Sequence, residues 1–327
     1  MLRNPAKSRS LGRRVRSLRT PQPVDVLDFP VSRQQYAAAP HVTANLILLI
    51  HCPDQAGIVA SVTSLIRQFR GNIVDLDQHV DTERGVFFMR VEWWPPADDE
   101  HAVARFEGEF ASDVGRPFGM HWRLERASRV PRIAIFVSKY SHCLYDILSR
   151  WQSGEWDVEI PLIVSNHLDL EPVARRHGIR FEHVAVSRDS KVDAERRQLD
   201  LLAEERVDLV VLARYMQILS PQFIAAMPER VINIHHSFLP AFAGAQPYHA
   251  AFARGVKVIG ATSHYVTSDL DAGAIIAQDV VAVSHVDSVE DMVRKGRDLE
   301  KIVLARAVYK HIRHQVLVYD NRTVVFD

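Results

Sequence analysis

The sequence predicts an α/β protein built from two successive units, a ferredoxin-like βαββαβ sandwich followed by a doubly wound, mostly parallel, Rossmann-like sheet. Three observations predict it. Residues 44–126 read strand, helix, hairpin, helix, strand; residues 132–327 alternate short apolar runs with helical stretches; and a polar linker at 127–131 separates the two patterns.

In the first unit, the apolar run 46–51 ends at Cys52-Pro53-Asp54-Gln55-Ala56-Gly57, after which Ile58, Val62, Leu65, Ile66 and Phe69 recur at helical spacing. Gly71-Asn72 stops that helix. Strand 73–80, a turn at 81–85 and strand 86–93 form a hairpin, Pro95-Pro96 closes it, and a second helix at 102–110 precedes a last strand at 121–125. In the second unit the runs 133–137, 160–164, 209–212 and 231–234 read as strands, with helices between them at 143–151 and 194–205. A long closing helix is expected over 292–311, and 316–325 reads as a final β-hairpin with Asn321-Arg322 in its turn. Ligands of doubly wound sheets lie beyond the carboxyl ends of the strands, which directs attention to the end of strand 231–234.

Composition narrows the function classes. The 327 residues are 47% hydrophobic and 24% charged, ordinary for a globular protein of two domains. Lys plus Arg and Asp plus Glu both number 40, so no global basic field favours nucleic acid. Cys52 and Cys143 are the only cysteines and fall in different units, which fits a reducing, cytoplasmic setting. No apolar run approaches the roughly 18 residues of a membrane span. The first 43 residues differ: Arg3, Lys7, Arg9, Arg13, Arg14, Arg16 and Arg19 all precede the first acid, Asp25. The stretch reads as a basic extension that does not fold with the core, with an organellar transit peptide and an over-long start as alternatives.

The chemistry concentrates in the segment 232–280. Asn233 and His235 alternate on an apolar run and therefore point to one side of a strand end, while Asp271 arrives from a loop after a second strand. An amide, an imidazole and a carboxylate are what a carbonyl under attack by water requires: donors for the forming oxyanion, and a carboxylate to orient the water and take its proton. A metal centre at His235, His236, His249, His264 and Asp271 is the competing arrangement, but the spacing lacks a compact ligand pair on one helix, and no metal is expected.

The motifs Asn233-Ile234-His235, Ser237-Phe238-Leu239-Pro240 and His264-Tyr265-Val266-Thr267-Ser268-Asp269-Leu270-Asp271 resemble the formyltransferase-fold enzymes that use 10-formyltetrahydrofolate. Within that superfamily the His-His-Ser-Phe-Leu-Pro form at 235–240 is similar to the formyltetrahydrofolate deformylases, and the resemblance runs from about residue 44 to the last residue. It implies hydrolysis of 10-formyltetrahydrofolate without a cofactor, with Asn233 and His235 on the oxyanion and Asp271 on the water. It implies a folate slot from Met216, Gln217 and Leu219, faced by Val266, Thr267, Ser268 and Asp269, with His264 supporting Asp271 or the substrate.

Glycinamide ribonucleotide formyltransferases carry a Gly-rich phosphate loop after the first strand of this fold. Here that loop is Ser138-Lys139-Tyr140-Ser141-His142-Cys143, without glycine, and Ser138, His142 and Cys143 are expected to fill the acceptor pocket so that water is the nucleophile. The Asp-Gln-x-Gly loop of the first unit resembles an ACT domain, which implies self-association into a dimer or tetramer. It also implies a small amino-acid effector, glycine or methionine, at Asp54, Gln55 and Gly57. Two positions depart from the pattern: Gln246 stands where relatives more often carry Lys or Arg, and Ala274 where they usually carry Pro.

Overall fold

β1 (Leu46–Pro53) is apolar along nearly its whole length because it is an inner strand, paired antiparallel with β3 (Val86–Trp94) on one side and β4 (His121–Arg126) on the other. β2 (Asn72–Asp81) completes the sheet in the order β2-β3-β1-β4, that of a ferredoxin-like sandwich. The computed structural model describes residues 45–95, 100–240 and 247–327; the basic stretch 1–43 and Gln246 lie outside the described residues. One face of the sheet is covered by α1 (Ile58–Gln68) and α2 (Glu100–Glu109), which bury Ile58, Val62, Ile66 and Phe106 against Leu48, Ile50, Met89 and Trp93. The second helix is longer than its sequence pattern predicts, continuing as a π-helical segment over Phe110–Gly115 that buries Phe110 and Val114.

The second sheet has seven strands in the order β11-β10-β9-β8-β5-β6-β7. β5 (Arg132–Val137), β6 (Glu159–Ser165), β7 (Arg180–His183), β8 (Leu209–Leu212) and β9 (Val231–His235) are mutually parallel, whereas β10 (Val258–Tyr265) is antiparallel to both its neighbours, β9 and the edge strand β11 (Ile275–Ala282). The inner strands are continuous apolar runs because helices cover both faces: α3 (His142–Gln152) and α8 (Val289–Ile312) belong to one core, α5 (Lys191–Glu204) and α6 (Pro221–Ala226) to the other. α4 (Glu171–Arg176) and α7 (Pro247–Arg254) are short connections. Strand order reverses between β5 and β8, so the carboxyl ends of β8 and β9 border the switch-point crevice. Among the described residues, no helix is long and apolar enough to cross a membrane.

After α8 the chain makes the hairpin β12 (Val316–Tyr319) and β13 (Arg322–Val325). Its turn is Asp320-Asn321, one residue earlier than the sequence suggests, because both residues take positive φ (46° and 56°), as a two-residue hairpin turn of matching twist requires. The hairpin covers the other face of the first sheet: Leu317 and Phe326 are buried against Leu49, Val86 and Phe88, and the Tyr319 ring lies 5.4 Å from that of Phe88. Arg123 Nη2 donates to the Val316 carbonyl and Arg90 Nε to that of His314, tying the same sheet to the end of α8. On its other side Asn321 Nδ2 donates to the Ala272 carbonyl (2.7 Å) and Thr323 Oγ1 to that of Ile275 (2.5 Å). The described residues accordingly form one compact unit.

Candidate active site

β9 carries Asn233 and His235 to its carboxyl end, and β10, antiparallel beside it, sets His264 opposite Asn233 in register. The chain after His235 is fixed by a second row of bonds. Thr262 Oγ1 donates to the Ser237 carbonyl and accepts from Leu239 N, while Gln278 Nε2 donates to the Leu239 carbonyl. The loop bearing Asp271 is held from below, with Tyr265 N donating to the Ala274 carbonyl (2.9 Å). Gly273 lies so close to the backbone there that a Cβ would fall 1.8 Å from the Tyr265 carbonyl oxygen. Ala274, the second departure in the motif, is buried in the main core. Asp271 itself sits at φ 53°, a conformation uncommon for residues other than glycine.

These elements bring the three expected chemical groups together. His235 Nδ1 is 3.2 Å from Asp271 Oδ2, His264 Nε2 is 3.7 Å from Asp271 Oδ1, and Asn233 Nδ2 is 3.3 Å from His264 Nε2. His264 Nδ1 faces the Tyr265 carbonyl at 2.8 Å, and only N–H can donate there. Its Nε2 in the neutral ring is therefore an acceptor that takes one amide hydrogen of Asn233 and leaves the other free. Burial lowers the pKa of His264, which favours that neutral ring. His235 Nε2 is buried without a hydrogen-bond partner. The Asp271 carboxyl is held below its usual pKa by the hydrogen bond to His235, against the opposing effect of burial. Burial, with Arg214 and His235 close by, brings His236 down to about 4, so it is neutral near pH 7.

A crevice of about 430 Å³ opens onto these groups. Of the expected folate contacts, Met216, Gln217, Leu219, His264, Val266, Thr267 and Ser268 line it, with Met216 half-exposed at its mouth and Leu219 also part of the core. Asp269 does not line it; its carbonyl accepts from Thr267 Oγ1 and shapes the loop. On the acceptor side, the Ser138 hydroxyl donates to Asn166 Oδ1 (2.6 Å) and accepts from Met216 N. His142 Nε2 is 2.8 Å from Glu300 Oε2, and Cys143 is buried in the core of α3 rather than in a pocket, its thiol pKa raised by burial. The ligand atoms of His142, Cys143 and Glu300 lie within 4.8 Å of one another. Tyr248 Oη donates to the other Glu300 oxygen and the guanidinium of Arg214 adjoins it, so the carboxylate is already engaged by protein donors.

In the first unit, Asp54 and Gln55 are exposed, Asp54 N donates to the Gly85 carbonyl, and Gly57 supplies the left-handed turn (φ 93°) that opens α1. A cavity of about 350 Å³ lies at the opposite end of α1, between Phe69, Trp93 and Phe106, and the Asp54 to Gly57 loop does not reach it.

The sequence alone assigns no role to Arg214 or Glu300, and it offers His236 only as a candidate metal ligand and as part of the 235–240 motif. Arg214 was within reach, since it follows the carboxyl end of β8 at the switch point; Glu300, eighty-odd residues away on α8, carried no local signal.

Residues 131–308 match the family model described as formyl transferase, and residues 46–92 match the ACT domain. The chain is 52% identical over 280 residues to the formyltetrahydrofolate deformylase of Synechocystis sp., covering 85% of this chain and 97% of that protein. It belongs to the formyltetrahydrofolate deformylase family. The deformylase of Bacillus subtilis is 47% identical, covering 86% of this chain and 93% of its own. The crystal structure of a deformylase from Pseudomonas syringae pv. tomato superposes with a TM-score of 0.83 at 46% identity, over 89% of this chain and 96% of that one. A glycinamide ribonucleotide transformylase from Symbiobacterium toebii is a more distant neighbour of this deformylase-family chain, with a TM-score of 0.58 at 30% identity, and covers 63% of it.

Proposed function

We propose that this protein hydrolyses 10-formyltetrahydrofolate to formate and tetrahydrofolate, with Asn233, His235 and Asp271 as the reacting groups. The observation that carries the reading is the arrangement of His235, whose Nδ1 is on the Asp271 carboxylate while its Nε2 is buried and unpaired, in a crevice that Asn233 also lines. With the pterin in the slot between Met216, Leu219 and the 266–271 loop, water attacks the formyl carbon and passes a proton to Asp271. The carbonyl oxygen becomes an oxyanion that accepts from Asn233 Nδ2 and from Nε2 of protonated His235. Collapse breaks the bond from the formyl carbon to the folate nitrogen, which takes up the proton held by Asp271, and the formic acid so formed ionises to solvent, leaving Asp271 a carboxylate again. Formate and tetrahydrofolate result, and no metal or cofactor is needed in the proposed step.

Water is favoured over an amine because the acceptor side is occupied by side chains engaged with one another: Ser138 hydrogen-bonded to Asn166 and Met216, and His142 and Tyr248 hydrogen-bonded to Glu300, which Arg214 adjoins without a hydrogen bond. Formate and free tetrahydrofolate would feed purine synthesis and balance the one-carbon folate pool. In the ACT domain, glycine or methionine is the proposed effector at Asp54, Gln55 and Gly57, in a dimer or tetramer of the chain; calorimetry without heat from either amino acid would count against that part. The test of the main reading is formate release from 10-formyltetrahydrofolate, with and without glycinamide ribonucleotide, beside Asp271→Ala. Acceptor-independent release, lost in the variant, is expected. Formyl appearing only on the amine would make the protein a transferase, and no turnover would leave a non-catalytic amino-acid sensor.

A further inference from the structure

We infer that Arg214 is the binding site for the carboxylate product, holding formate in the crevice beside His235 and His236 after the carbon–nitrogen bond has broken. The inference rests on the hydrolytic reading above.

Arg214 is an anomaly in packing terms. Its side chain is only 10% exposed and its Nε is buried, yet none of its donors makes a hydrogen bond with a described residue. Buried guanidinium donors left without a hydrogen bond are costly unless a further acceptor completes them. The group is nonetheless held in place. Glu300, 1% exposed, approaches Nε at 3.4 Å, and the guanidinium lies 5.3 Å from the centroid of the Tyr140 ring. Glu300 is in turn fixed by His142 and Tyr248. The backbone adds to the case: Arg214 sits at φ 65°, so the long side chain starts from a left-handed residue that turns it off the end of β8. It lines the crevice together with Asn233, His235, His236 and Asp271.

The chemistry of the reaction states what the group is for. The formyl carbon enters as a neutral amide and leaves as an anion, born next to the ionised Asp271 carboxylate. Like charges at that range repel, so the product needs a cation on the side away from Asp271. A guanidinium fork matches a planar carboxylate with two parallel N–H donors. Neutral His236 cannot supply that charge, and Glu300 holds only the Nε edge of Arg214. The neutral formyl group gains little from the fork, so Arg214 acts on product far more than on substrate.

The test titrates ¹³C-formate into the full-length protein saturated with tetrahydrofolate, following line broadening, and in parallel measures formate inhibition of turnover. Arg214→Met keeps an apolar stem of similar length; Arg214→Met with Glu300→Gln removes the orphaned carboxylate as well, in case the single variant does not fold. Formate affinity should fall at least about tenfold in either variant, the size of a charge-assisted hydrogen bond, while KM for 10-formyltetrahydrofolate changes less than about threefold. Chloride at equal concentration should displace formate poorly. Equal formate affinity in parent and variants, or no formate binding by a parent that does hydrolyse the substrate, would overturn the inference; so would displacement by chloride as effective as by formate. A parent that binds formate through Arg214 but releases none from the substrate would instead overturn the hydrolytic reading.

Discussion

Asp271→Asn separates the charge of this residue from its shape. The amide can still accept from His235 Nδ1 at the present 3.2 Å, so the ring keeps its position. On the proposed mechanism two things go: the base that receives the proton of water, and the anion paired with His235 Nδ1. General-base assistance is worth about 10² to 10⁴ in rate, or ~3–5 kcal/mol of barrier at about 1.4 kcal/mol per decade. The expected result is a fall in kcat within that range and little change in KM, because a group acting only in the transition state leaves ground-state binding alone. The pH profile is the sharper assay. The hydrogen bond from His235 depresses the pKa of Asp271, so the carboxylate stays ionised as pH falls through the ordinary aspartate range and is protonated only below it. Its contribution to stability has the same sign, present above the unfolded pKa and lost as pH falls through the folded one. The parent should therefore show no acid limb from this group above about pH 4. The variant, with no base of its own, should gain rate in proportion to hydroxide. A variant within about threefold of the parent in kcat, with an unchanged pH profile, would refute the assignment of Asp271 as base.

Gly273→Ala places a methyl 1.8 Å from the Tyr265 carbonyl oxygen and must displace the Asp271 loop; kcat should fall about 100-fold, and because that loop also lines the crevice, formyl-folate affinity by equilibrium dialysis should weaken with it. Glu300→Ala leaves Arg214 and His142 facing an emptied buried site, and denaturant unfolding should show a loss of about 3–5 kcal/mol. Ser288 caps α8 through reciprocal bonds with Asp291, so Ser288→Ala should cost about 1 kcal/mol in the same assay, and replacement by Asp should recover most of it.

The parts legible in the sequence are those fixed by short-range pattern. β5, β6, β8 and β9 announce themselves as apolar runs because they are buried on both faces, and Asn233 and His235 share a strand whose period is two. The convergence of Asn233 and His235 was legible through strand alternation, and that of Asp271 with them through the resemblance to the formyltransferase-fold enzymes. What escaped was set by distance in space. β7 is only four residues, half-buried, and reads as loop. Which influence governs Asp271 depended on where His235 Nδ1 lies. Cys143 looked like a pocket residue by its place in the loop, but the helix that begins at His142 turns it into the core. Arg214 needed Glu300, on a helix whose amphipathic pattern gives no reason to expect a buried acid.

The C-terminal hairpin bears on how this architecture could be taken apart or recombined. Cutting at the linker near residue 130 would not release two finished modules, since the first sheet would keep its helices on one side but expose Leu49, Val86 and Phe88 on the other. The face that completes it is encoded some 190 residues downstream of β4, on strands that also hold the carbonyls of Ala272 and Ile275. A graft of the first unit onto another enzyme would therefore have to carry the hairpin with it, and with the hairpin a grip on the loop that carries Asp271.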